Sequence, residues 1–99
     1  MEHRTTVAEI GIKRYMYYVY VLRSKVKPRF YTGMTQDVSK RLHEHNNGKT
    51  KSTKGYRPWD LCFFEEYKTR LEARAREKYL KSGIGREYIK NKWTHSLTG

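Results

Sequence analysis

The chain has 99 residues, with 22 Lys and Arg against 10 Asp and Glu, giving a formal net charge of +12. That length supports one domain around one core and leaves no room for a second targeting domain. The positive field favours a polyanionic partner, most simply a phosphate backbone, while a single cysteine, Cys62, excludes an internal disulfide and any multi-cysteine metal site.

No apolar stretch approaches membrane-spanning length and the N-terminus lacks the apolar core of a signal peptide, so the sequence reads as soluble and cytoplasmic, with no membrane partner. Residues 1–14 are polar without a sustained period and read as a flexible tail, ahead of a domain over 15–94 and a C-terminal tail over 95–99. Met16 opens the first strand and is a candidate alternative start. Tyr17 to Leu22 alternates Val and Tyr and predicts a strand. Ser24 to Arg29, with Pro28 near its end, is a turn. Phe30 to Thr35 is the second strand, in a hairpin with the first. Asp37 caps a helix running to about Asn46, and Gly48 ends it. Residues 49–57 form a basic loop containing Ser and Thr. Trp59 to Tyr67 is a third strand, whose apolar run Leu61-Cys62-Phe63-Phe64 makes Cys62 a buried small hydrophobe. Thr69-Arg70-Leu71-Glu72 has capping-box spacing and opens a helix to about Lys81. Gly83 and Gly85 punctuate the chain before a final helix, Arg86 to Trp93. The order β-β-α-β-α-α gives an α+β fold: a small three-stranded antiparallel sheet flanked by about three helices.

Five residues are candidates for chemistry. A hairpin register pairing Arg23 with Phe30 places Tyr20 and Tyr31 on one face, one step apart, with Gly33 leaving space beside them. Strand propensity explains either tyrosine alone; two at this spacing point to convergent phenols. Arg41 and His45 lie one helical turn apart and share a face. Arg41 borders the Val38 and Leu42 stripe, where a guanidinium can fork onto a phosphate or remain solvated. Glu77 borders the apolar flank of Ala73 and Leu80. A carboxylate there suits a hard cation completed by water and phosphate, and equally suits an ordinary pair with Lys81. Lys49, Lys51, Lys54 and Arg57 in the loop, and Arg70, Arg74, Arg76 and Lys78 on the helix, are candidates for backbone contacts that position nucleic acid without reading sequence.

The segments YVYVL, FYTGMT, DVSKRLHEHNNGK and TRLEARAREKYLKSG together resemble the signature of the GIY-YIG nuclease superfamily. They look most like its small stand-alone bacterial branch, related to the N-terminal nuclease domain of the excinuclease C subunit. The resemblance implies the same three-stranded fold and a metal-dependent endonuclease acting on nucleic acid, DNA before RNA, with weak or structure-based specificity or targeting by a protein partner. It implies one divalent ion, Mg²⁺ or Mn²⁺, at Glu77, and catalytic roles for Tyr20, Tyr31, Arg41 and His45. Either tyrosine can activate water, with the basic surroundings expected to stabilise its phenolate, His45 supporting proton movement and Arg41 neutralising phosphoryl charge. Met34 stands where some members carry a lysine, and Ile89, with Asn91 nearby, stands where many carry an asparagine. The alternative reading is therefore a catalytically weak or inactive nucleic-acid-binding module on the same fold.

Overall fold

The computed structural model describes residues 16–98, with side chains through Thr94; the tail assigned to 1–14 lies outside the described residues. Strands β1 (Tyr17–Ser24), β2 (Phe30–Thr35) and β3 (Trp59–Tyr67) form an antiparallel sheet in the order β2-β1-β3. Helices α1 (Val38–Asn46), α2 (Lys51–Lys54), α3 (Arg70–Leu80) and α4 (Gly83–Thr98) complete the α+β fold. No helix among the described residues is long and apolar enough to cross a membrane.

The central strand explains the layering. Val19, Tyr20, Val21 and Leu22 are all buried, because helices cover both faces of β1. Val19 and Val21 join Ala73, Leu80 and Ile89 of α3 and α4 in one core. Tyr20 and Leu22 join Trp59 in a second core, flanked by Tyr31, Val38, Leu42 and Tyr56. A strand buried on both faces loses its polar alternation, and here tyrosine supplies the amphipathic face.

The hairpin has the anticipated register: Arg23 opposes Phe30, Leu22 opposes Tyr31 and Tyr20 opposes Gly33. Ser24 holds the turn, its Oγ accepting from the N–H groups of Val26 and Lys27 at 3.1 Å each and donating to the Tyr56 carbonyl at 2.7 Å. The two helix starts are also as read. Asp37 accepts from the Lys40 N–H at 3.0 Å, and Thr69 Oγ1 accepts from the Glu72 N–H at 3.1 Å.

Five expectations change. The segment 49–57 is not simply a solvated loop: it contains α2, and Thr53 within it is buried. Its backbone is fixed by tertiary contact, since Trp59 Nε1 donates to the Thr53 carbonyl at 3.0 Å. Cys62 is half-buried rather than buried, and it is the extra residue where the β1–β3 register shifts between Val21 and Leu22. Burial still pushes its thiol pKa up to about 12, so it stays protonated. The final helix begins at Gly83 rather than Arg86, because Ser82 Oγ accepts from the Gly85 N–H at 3.2 Å. It also runs to Thr98, through most of the span assigned to a C-terminal tail. Gly85 does not break the chain there. A Cβ on it would strike the Tyr79 carbonyl and the Leu80 backbone, so the glycine lets α4 cross close to the end of α3.

Candidate active site

Tyr20 lies at the centre of the site. Its side chain projects from β1 over β2, and its hydroxyl lies directly above Gly33. A Cβ at Gly33 would lie 2.6 Å from the Tyr20 hydroxyl oxygen and 2.7 Å from Cζ. Gly33 therefore makes room for the phenol, which is buried and hydrogen-bonded and has nowhere to swing. Gly33→Ala is expected to overpack this point, costing about 1–3 kcal/mol, and to displace the Tyr20 hydroxyl. Thermal unfolding and cleavage assays would check both; an alanine variant as stable and as active as the parent would contradict this geometry.

From the hydroxyl, a hydrogen-bonded series runs inward. Tyr20 Oη lies 2.9 Å from His45 Nε2, and His45 Nδ1 lies 2.8 Å from Thr53 Oγ1. Thr53 Oγ1 donates to the Thr50 carbonyl at 3.3 Å. With its proton committed there, Thr53 accepts from Nδ1–H, which leaves Nε2 as an acceptor for the Tyr20 hydroxyl. Helix α1 holds His45 in place because Asn46, the next residue, clamps the start of β3: Trp59 N–H donates to Asn46 Oδ1 at 2.6 Å, and Asn46 Nδ2 donates to the Trp59 carbonyl at 3.1 Å.

Electrostatics oppose the expected phenolate. Burial raises the Tyr20 pKa far above its ordinary value, Tyr31 raises it further, and the opposing pull of Arg41 does not offset this. Tyr20 is neutral at physiological pH. His45, fully buried, is pushed down to about 4 by burial first and by the Arg41 charge second, with Glu44 opposing. Unfolded His45 titrates near 6.5, so between that pH and about 4 the unfolded chain binds the extra proton. The stability associated with neutral His45 is whole above pH 6.5 and is lost as pH falls towards 4, by up to about 3 kcal/mol. Wild-type chain should lose thermal stability across that window more steeply than His45→Gln; parallel pH profiles would contradict the assignment.

Arg41 lies within electrostatic reach of both phenols and donates from Nη1 to Glu44 Oε1 at 2.9 Å. Burial works against its charge, and Glu44 and the phenols outweigh that effect. Tyr31 is half-buried, its ring centroid 4.8 Å from that of His45 and 6.2 Å from that of Tyr20.

Glu77 reaches the same cluster from α3. It is buried, and its charge acts on Tyr20 although the two are far apart in sequence. Its Oε1 accepts from Arg74 Nη1 at 3.1 Å and its Oε2 from Lys81 Nζ at 3.0 Å. The ordinary pair with Lys81 is thus present, on a carboxylate that is buried within electrostatic reach of Tyr20. Among the described residues no group of three or more His, Cys, Asp or Glu side chains could hold a metal ion. A single buried carboxylate with lone pairs to spare still fits a hard cation whose other ligands are water and substrate phosphate.

The eight candidate backbone contacts do not behave alike. Lys49, Lys51, Lys54, Arg57, Arg70, Arg74 and Lys78 are exposed. Arg74 is a partner of Glu77, and Arg57 Nε donates to the Lys54 carbonyl at 2.8 Å. Arg76 is committed elsewhere: it forks onto Glu65, Nε to Oε1 at 2.9 Å and Nη2 to Oε2 at 3.1 Å, and lies 5.1 Å from the ring centroids of Tyr79 and Tyr88. That fork joins α3 to β3 and takes Arg76 out of the free basic surface. Two contributors were missed. Thr53 orients His45, with no local pattern to mark it. Lys81 appeared only as a bland partner, although it binds the site carboxylate.

A family model described as the GIY-YIG catalytic domain matches residues 16–90. A UPF0213 protein of Clostridium perfringens is 43% identical over 67 residues, covering 67% of this chain and 71% of its own. A UPF0213 protein of Haloquadratum walsbyi is 42% identical over 67 residues, covering 67% and 74%. The solution NMR structure of a UPF0213 protein from Bacillus halodurans is 33% identical, covers 77% of this chain and 83% of that one, and has a TM-score of 0.48. The matched span runs from β1 into α4 and holds Tyr20, Tyr31, Arg41, His45 and Glu77; the chain belongs to the GIY-YIG family, a family of nucleases.

Proposed function

We propose that this chain is a metal-dependent endonuclease that hydrolyses phosphodiester bonds in nucleic acid, DNA before RNA. The series Tyr20–His45–Thr53, set beside Arg41 and Glu77, carries this reading. A neutral phenol is a base only if its own proton leaves as it accepts another. Tyr20 has that exit in the unprotonated Nε2 of His45, 2.9 Å away, so we assign the role of base to it rather than to Tyr31. As water attacks phosphorus, its proton passes to Tyr20 Oη and the phenolic proton passes to His45 Nε2. The imidazolium formed is held through Nδ1–H by Thr53 and returns its proton to solvent or to the departing oxygen. Tyr31 packs against the imidazole and holds its plane.

Arg41 is placed to fork onto a phosphoryl oxygen and offset the charge that develops there. Glu77 would hold one divalent ion, Mg²⁺ or Mn²⁺, with Arg74 and Lys81 aiming its carboxylate. When bound, that ion supplies Lewis-acid polarisation of the phosphate. The exposed Lys51, Lys54, Arg70 and Lys78 give backbone contacts without sequence readout, which supports structure-based specificity or targeting by a partner protein.

A second reading, a binding module on the same fold, is favoured by one observation: both oxygens of Glu77 are already engaged by cations. Labelled single-stranded, duplex, nicked and flapped DNA, with matching RNA, would be incubated with the protein in Mg²⁺, Mn²⁺ or EDTA. The nuclease reading expects products in metal and none in EDTA. Tight binding with no cutting across the panel would transfer the conclusion to the binding module.

A further inference from the structure

Next to the phenols, a half-enclosed cavity of about 500 Å³ lies between β2, an edge strand, and the α3–α4 junction. Tyr31, Thr32 and Phe30 form one wall, and Lys81, Arg86 and Lys90 face them; none of the described residues lining it is acidic. The volume falls within the range of small-ligand sites.

Lys81 is tied to Glu77, but the other two cations, Arg86 and Lys90, are placed where the fold itself gains little from them. Arg86 and Lys90 are one turn apart on α4 and repel one another. Arg86 lies close to the N-terminus of that helix, whose first turn has no acidic residue and where the macrodipole disfavours positive charge. The Arg86 side chain has no partner among the described residues, and Lys90 has only a loose, exposed pair with Glu87 at 3.7 Å. Such an arrangement is suited to a visiting anion. The cavity adjoins the candidate active site: Tyr31 belongs to both, and Lys81 Nζ lies 3.0 Å from Glu77 Oε2. Arg29 contributes less, since its guanidinium lies over Tyr56, 4.6 Å from the ring centroid.

We propose that this cavity binds a phosphate-bearing nucleotide of the substrate strand, flanking the bond that is cut, with Lys81, Arg86 and Lys90 on the phosphate. The position relative to the cut rests on the nuclease reading; affinity for a nucleotide phosphate does not. An isotope-labelled chain would be titrated with a nucleoside monophosphate and with the matching nucleoside, observing backbone amides. The monophosphate should shift Phe30, Thr32 and Ile89, and the nucleoside should not. The exposed double substitution Arg86→Ala/Lys90→Ala should weaken monophosphate binding at least about tenfold and lower the salt slope for a single-stranded oligonucleotide by about 1.4, two contacts at about 0.7 each. Lys68→Ala, an exposed residue just before the start of α3 and outside the cavity lining, should leave monophosphate affinity unchanged. Equal binding of the nucleoside, or wild-type affinity in the Arg86/Lys90 double variant, would overturn the proposal. If the wild-type chain binds the monophosphate here yet cuts no strand, the cavity stands and the nuclease reading falls. If it cuts while this cavity takes no monophosphate, the cavity proposal alone fails.

Discussion

Glu77→Ala is expected to abolish most cleavage while leaving metal-free binding of nucleic acid intact or slightly tighter. A catalytic metal contributes several kcal/mol of transition-state stabilisation, so the rate should fall on the order of 10²- to 10⁴-fold. Binding should hold because the surface is strongly basic and the substitution removes an acidic group. Arg74 and Lys81, both more than half exposed, are freed to meet phosphate instead. The fold should survive, because Ala73 and Leu80 supply the packing of this face and alanine suits a helix. Binding by titration in EDTA and initial rates in Mg²⁺ separate the two effects. Cleavage at the wild-type rate would remove Glu77 as the metal ligand.

Tyr20→Phe should be nearly as damaging and through a different step. It removes one oxygen and keeps the ring that fills the second core. Loss of a positioned general base typically costs about 10²–10⁴-fold. Stability should fall by only about 1–3 kcal/mol, the cost of leaving His45 Nε2 without a donor in a buried site. Tyr31→Phe is the comparison: Tyr31 meets His45 through its ring, so its loss of hydroxyl should slow cleavage less. A larger effect at Tyr31 than at Tyr20 would transfer the role of base to Tyr31.

What the sequence revealed of this site was local. The short turn and period-two alternation were enough to pair Arg23 with Phe30 and to bring Tyr20 and Tyr31 to one face. Asp37 and Thr69 announced their helices because a cap bonds only three residues ahead. The long-range terms were hidden. Thr53 reads as one hydroxyl in a basic loop, and only the approach of α1 and Trp59 makes it the partner of His45. Arg76 looks like one more surface cation until β3 brings Glu65 beside it. Gly85 looks like a helix stop, whereas its missing side chain serves a close crossing. The expected phenolate failed for the same reason. Net positive charge is legible in composition, but the burial that outweighs it at Tyr20 arises from packing on both faces of β1. At Glu77 the pair with Lys81 is formed, and the carboxylate is also buried within electrostatic reach of Tyr20; its role as a metal ligand remains a proposal.

The central claim is that Tyr20 and Glu77, far apart in sequence, belong to one hydrolytic site. The most direct test compares cleavage rates of wild type, Tyr20→Phe, Glu77→Ala and the double variant on the same substrate in Mg²⁺. Residues that act as a unit are strongly non-additive, so the double variant should cut within about threefold of the slower single variant. Losses that multiply across the two substitutions would contradict a single site.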